Sequence, residues 1–194
     1  MTVSDYFCIF AAAIALLNHF TYSLTAMGFV FKKAAPSTRH LNLLKVAFQG
    51  VGLSLFCLVW RSRAQLDQMQ FIQALISLIL VLKSTVLFWW TKRTNQSQPL
   101  TIAFSTDTPL HLVKNGPYAW VRHPFYVSYL LNFLGLVVLV LQPLSVGLFF
   151  IILAVYYQAA TFEEKKFQNS SLAQEYAQYQ KKVGLFFPKR GSCH

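Results

Sequence analysis

Long apolar runs broken by short basic segments are the feature that most limits how this chain can fold. Five runs stand out: Phe7 to Val30, Leu41 to Trp60, Gln70 to Trp90, Phe125 to Leu141, and Leu144 to Phe162. A hydrocarbon core of roughly 30 Å needs about 20 helical residues to cross it. The first three runs meet that length. The last two are shorter and joined only by Gln142-Pro143, which predicts a tight helical hairpin. Inside a bilayer every backbone polar group must be satisfied within the segment, so the runs read as helices. The expected fold is all-α, a multi-pass transmembrane bundle of about five spans. Composition agrees: 55% of the residues are hydrophobic and only 12% charged, about half the charge of an ordinary soluble domain.

The first run is expected to be retained rather than cleaved. Met1 to Tyr6 carries no basic residue and one acid, Asp5, and the apolar stretch is longer than a signal peptide's. With five crossings, Lys32, Lys33, Arg39, Lys45, Lys92, Arg93, Lys114, Arg122 and the basic C-terminal tail fall on one side, and Arg61 and Arg63 on the other. Basic residues near span ends favour the cytoplasm. The expected topology is N-terminus outside and C-terminus cytoplasmic, in the inner membrane if the source is bacterial. Trp60, Trp89 and Trp90 end their runs beside basic residues, as interfacial aromatic belts do. The net charge of +11 therefore reads as topology and attraction to anionic membrane lipid, not as a nucleic-acid surface. Cys8, Cys57 and Cys193 form no zinc-spaced cluster, and no metal is expected.

Two segments break the membrane pattern, Thr91 to Pro124 and Glu163 to His194, and both fall on the expected cytoplasmic side. The chain divides on this basis into N-terminal helices (1–90) and a C-terminal region (91–194) holding the hairpin and the polar segments. Thr91 to Gln98 reads as a loop. The densest constellation is His111-Leu112-Val113-Lys114-Asn115-Gly116-Pro117-Tyr118, followed by Val121-Arg122-His123-Pro124-Phe125-Tyr126. Gly116-Pro117 marks a turn. Pro124 suits the first position of a helix, which places His123 at the mouth of the fourth span. Unpaired N–H groups and the positive dipole end there suit an anion. The acids Glu163 and Glu164 close the fifth span.

The strings His-Leu-Val-x-x-Gly-Pro-Tyr and Val-Arg-His-Pro-x-Tyr, then Glu163-Glu164 with Phe167, Glu175-Tyr176 and Phe187-Pro188, resemble the isoprenylcysteine carboxyl methyltransferase and phospholipid methyltransferase superfamily. The resemblance covers roughly Pro109 to Pro188. It implies an integral membrane enzyme that uses S-adenosyl-L-methionine, enclosed near the cytoplasmic interface by both motifs. It further implies that His111, Leu112, Val113, Tyr118, His123, Pro124, Phe125 and Tyr126 line the donor. Glu163 and Glu164 would contact donor or acceptor, and Arg122 would join them in the reaction centre. Enzymes that methylate a prenylcysteine carboxylate carry an Arg shortly before the acidic pair, whereas this chain has Ala159-Ala160-Thr161-Phe162. The acceptor expected here is therefore lipid-like or small and hydrophobic, with its attacking group (carboxylate, amine or thiol) left open. Sterol-type reductases that bind NADPH also carry Arg-His-Pro but have Asn where Phe125 stands. That reading and a non-enzymatic membrane protein remain as alternatives.

Outside the motifs, His19 beside Asn18 reads as a helix–helix hydrogen-bonding residue and Lys83 as a snorkelling cation. Phe167, Leu172, Tyr176, Tyr179 and Val183 have near-helical spacing, which predicts an amphipathic helix lying on the membrane.

Overall fold

The computed structural model describes residues 3–28, 46–55, 57, 69–95, 109 and 111–189. The expected sites of Lys32, Lys33, Arg39, Lys45, Arg61, Arg63 and Cys193 lie outside these residues. Among the described residues six α-helices follow one another: α1 Val3–Gly28, α2 Val46–Leu55, α3 Met69–Thr94, α4 Pro124–Val140, α5 Pro143–Gln168 and α6 Ala173–Lys182. A 3-10 turn, Gly116–Ala119, precedes α4.

The all-helical expectation is met, and that of about five spans is met in part. Among the described residues three helices are long and apolar enough to cross a membrane: α1, α3 and α5. The 17 residues of α4 reach only about 25 Å at 1.5 Å per residue. Its length is set by Pro124 at one end and by Leu141, in the left-handed region at φ 41°, at the other. Of the second expected run, 46–55 and 57 are described. By contrast α5 is longer than expected. It continues for 26 residues, so the acidic pair stays on the helix just beyond its apolar stretch. Ser145 secures the hairpin: its hydroxyl accepts from the Gln142 N–H at 3.1 Å and donates to the Gln142 carbonyl at 2.8 Å. The polar stretch expected to begin a loop at Thr91 instead finishes α3. Thr91 is fully buried, and its hydroxyl donates back to the Leu87 carbonyl at 2.7 Å.

Lipid chains are as apolar as leucine, so helices in a bilayer are held by close packing and by hydrogen bonds between them. Both operate here. Gly135 lets α4 approach α3 closely, since a Cβ there would stand 2.6 Å from Val81 Cγ2. Asn18 of α1 donates to Asn132 Oδ1 of α4 at 3.1 Å and to Thr85 Oγ1 of α3 at 2.9 Å. Asn132 Nδ2 donates to the Ala15 carbonyl at 3.1 Å. Closer to the polar segments that flank α3 and α4, Tyr22 OH meets Ser84 Oγ at 2.6 Å, and Ser84 donates to the Ser128 carbonyl at 2.6 Å. These contacts set the register of α1, α3 and α4. His19 reaches Gln49 of α2 at 3.0 Å, the helix–helix contact its position suggested.

The C-terminal helix departs from expectation. Tyr176, Tyr179 and Val183 are buried and pack with Leu112 and Phe167. The apolar face of α6 is therefore covered by the chain itself. Its spacing is that of an amphipathic helix, but a protein surface takes the place of the bilayer as its apolar partner.

Candidate active site

The site begins with backbone. Gly116 takes φ +60°, where a side chain would be strained, and a Cβ would also press on Thr94 Oγ1 at 2.7 Å. This turn sends Pro117 and Tyr118 inward. The Tyr118 ring is buried, its hydroxyl accepts from Asn95 Nδ2 at 3.0 Å, and its carbonyl accepts from Tyr179 OH at 2.6 Å. Tyr118 thus ties the end of α3 to α6. Burial pushes its phenol well above the usual tyrosine range, so it is a neutral hydroxyl at physiological pH.

Residues 121–123 then run alongside the C-terminal segment. Val121 pairs with Gly184 in a parallel bridge, the Arg122 N–H donates to the Gly184 carbonyl at 2.8 Å, and the His123 N–H donates to the Leu185 carbonyl at 3.3 Å. Only glycine fits at 184, because a Cβ there would run into the Phe187 carbonyl oxygen. This pairing holds the start of α4 against the chain that follows α6.

Four charged or titratable side chains meet where α4 begins and the apolar part of α5 ends. Arg122 Nε donates to Glu164 Oε1 at 2.7 Å, with both side chains only 11–12% exposed. A terminal guanidinium nitrogen of Arg122 donates to the Val183 carbonyl at 2.5 Å. Gln180 Nε2 donates to the other Glu164 oxygen at 2.7 Å. His123, the residue before Pro124, lies between both acids: Nδ1 is 3.3 Å from Glu163 Oε2 and Nε2 is 3.4 Å from Glu164 Oε1. Tyr126 OH donates to Glu163 Oε1 at 2.7 Å. Its ring stacks on His123 at 5.5 Å on one side and on Tyr156 of α5 at 4.9 Å on the other.

Burial alone would lower the His123 pKa, but hydrogen bonds and charge attraction from Glu163 and Glu164 outweigh it and raise the group above its ordinary 6.5. Both ring nitrogens face carboxylate oxygens, which suits the doubly protonated cation. With Arg122 and His123 positive and both acids negative, the cluster is electrically balanced. Such a centre can accommodate a zwitterion without leaving a buried charge unpaired.

The remaining residues from the motifs are placed around this centre. Phe125 packs edge-on against Phe88 of α3 at 5.5 Å, and Pro124 is buried. Leu112 packs on the α6 cluster. Val113 is half-buried. His111 Nε2 is buried without a protein partner; a buried polar atom of this kind calls for a ligand or solvent group. Sequence reasoning did not single out Asn95, Gln180 or the carbonyls of Val183 and Gly184. These groups come from segments far apart in the chain, and their side chains carry no pattern that marks them. Lys114 and Glu175 pair at 2.6 Å but are about half exposed, so the pair adds little stability.

A family model for phospholipid methyltransferases matches residues 72–175, more than half of the chain. The chain belongs to the phospholipid methyltransferase family. Within this family assignment, its match to curated proteins is narrower. Over 77 residues it is 35% identical to the protein-S-isoprenylcysteine O-methyltransferase of Saccharomyces cerevisiae and 30% identical to that of Tribolium castaneum. These matches cover 40% of this chain and 32% and 27% of those proteins. Over 78 residues it is 35% identical to the cobalt-zinc-cadmium resistance protein CzcN of Cupriavidus metallidurans, covering 40% of this chain and 36% of that protein. The matched stretch therefore spans about a third of these relatives' length.

Proposed function

We propose that this phospholipid methyltransferase family member is an integral membrane enzyme that uses S-adenosyl-L-methionine to methylate a lipid-like or small hydrophobic acceptor. The reading places the reaction at the cytoplasmic interface, with the N-terminus outside and the C-terminus inside. The observation that carries it is the meeting of Arg122 and His123, entering α4, with Glu163 and Glu164, leaving the apolar part of α5.

The donor carries an electrophilic methyl group on a sulfonium sulfur, and transfer forms the acceptor–carbon bond as the sulfur–carbon bond breaks with its electron pair left on sulfur. His111, Leu112, Val113 and Tyr118 of the first motif and His123, Pro124, Phe125 and Tyr126 of the second are the residues proposed to hold the donor, with Glu163 and Glu164. The balanced cluster suits the donor's zwitterionic amino-acid end, and the unpartnered His111 Nε2 offers a site for one further polar contact. The protein's contribution is alignment. Holding reactants in line can remove on the order of 7–11 kcal/mol of a barrier, and the short contacts among α4, α5 and α6 supply the needed rigidity.

The acceptor proposed is not a prenylcysteine carboxylate. Ala159 and Ala160, where those enzymes resemble one another in carrying Arg, are fully buried in the core. Arg122 is itself engaged by Glu164 and by the carbonyls of Gln180 and Val183.

Calorimetric titration of the detergent-purified protein tests this reading. S-adenosylmethionine is expected to bind, NADPH is not, and His123→Ala is expected to weaken donor binding at least tenfold. Binding of NADPH alone would favour a reductase, and binding of neither would remove the enzymatic reading.

A further inference from the structure

We infer that the adjacent acids divide the work: Glu164 is a positioning residue that clasps α6 onto the hairpin, and Glu163 is the catalytic residue that faces the acceptor. This rests on the methyltransferase reading above.

Consecutive residues on a helix point about 100° apart and cannot serve the same face. Here the two acids share His123 but otherwise meet different partners. Glu164 is held from both ends: Oε1 by the Arg122 guanidinium at 2.7 Å and Oε2 by the Gln180 amide at 2.7 Å. Arg122 in turn donates to the Val183 carbonyl at the end of α6. Loop, α5 and α6 are thus joined through one carboxylate. A fixed cation and a saturated oxygen pair make Glu164 a poor proton acceptor. Glu163 looks the other way, toward the first turn of α4. Its side chain is the more exposed of the two, 20% against 12%. Its partners are a phenol and an imidazole, Tyr126 OH at 2.7 Å and His123 Nδ1 at 3.3 Å. Both partners can re-orient or exchange a proton, which a guanidinium cannot.

The division has a chemical consequence. An acceptor that attacks through an N–H or S–H must lose one proton per methyl gained. That proton passes to the Glu163 carboxylate and from there to solvent, so charge and atoms balance without any further reactant.

The test compares Glu163→Gln, Glu164→Gln, Gln180→Leu and Gln180→Arg. Three readouts are used: thermal midpoint in detergent, affinity for S-adenosylhomocysteine by calorimetry, and transfer of labelled methyl from S-adenosylmethionine into the organic extract of membranes bearing each variant. Glu164→Gln and Gln180→Leu are expected to lower the midpoint and weaken S-adenosylhomocysteine at least tenfold, with Gln180→Arg restoring both. Glu163→Gln is expected to keep the midpoint while losing at least ten times more in label transfer than in S-adenosylhomocysteine affinity. Equal losses in both acid variants, or a midpoint lowered only by Glu163→Gln, would overturn the division. Should the wild-type protein bind no S-adenosylhomocysteine, the methyltransferase reading and the role of Glu163 fall together, while the midpoints still decide the clasp.

Discussion

Replacing Arg122 by Met is the most informative single perturbation. The side chain is nine-tenths buried, donates to Glu164 at 2.7 Å and also donates to the Val183 carbonyl. Met keeps similar length and apolar bulk but removes the charge, leaving Glu164 buried beside only His123 and Gln180. Breaking a buried ion pair from one side costs about 3–5 kcal/mol. The cost falls on the contact between α6 and the hairpin, so amide exchange of residues 173–182 should read it. At 1.36 kcal/mol per power of ten, α6 protection should drop roughly a hundredfold to several thousandfold. The double variant Arg122→Met, Glu164→Met removes both charges, and apolar replacement of a whole pair is often neutral. It should recover most of the lost protection. Protection in Arg122→Met within threefold of wild type, or a double variant weaker than the single, would refute the account of the clasp.

Because the folded-state pKa of His123 is raised, the stability it contributes is complete below about pH 6.5, the ordinary value, and is lost as pH rises through the higher folded value. Thermal midpoints measured across pH 6 to 9 should fall on the alkaline side, and His123→Gln should flatten that fall; a slope unchanged in the variant would remove His123 as its cause. In Gly135→Ala the gain in helix propensity is about 1 kcal/mol. The new Cβ, 2.6 Å from Val81 Cγ2 and 3.3 Å from the Ser77 carbonyl, should cost more, about 1–3 kcal/mol, so the thermal midpoint should drop rather than rise.

Much of the site was legible as local pattern. Pro124 announces a helix start because its ring suits the first turn and lacks only an N–H that would be unpaired there. Gly116-Pro117 announces a turn. Arg122-His123 and Glu163-Glu164 stand at the ends of apolar runs, where charge has to leave the lipid. The partner of α6 was not legible. The spacing of Tyr176, Tyr179 and Val183 reports an apolar face but is identical whether that face meets lipid or protein. It meets Leu112 and Phe167.

The sequence by itself determined that this chain is helical, that its helices suit a bilayer, and where its charged motifs enter and leave the apolar runs. Those properties depend on residues close together in the chain: run length, prolines, and charges at run ends. Only the tertiary structure decided that Asn95 and Gln180 belong to the site, and that Glu163 and Glu164, though both reach His123, otherwise face different partners. Each of these depends on contacts between residues distant in sequence, and a carboxylate's hydrogen-bond partners are set by which helix packs beside it.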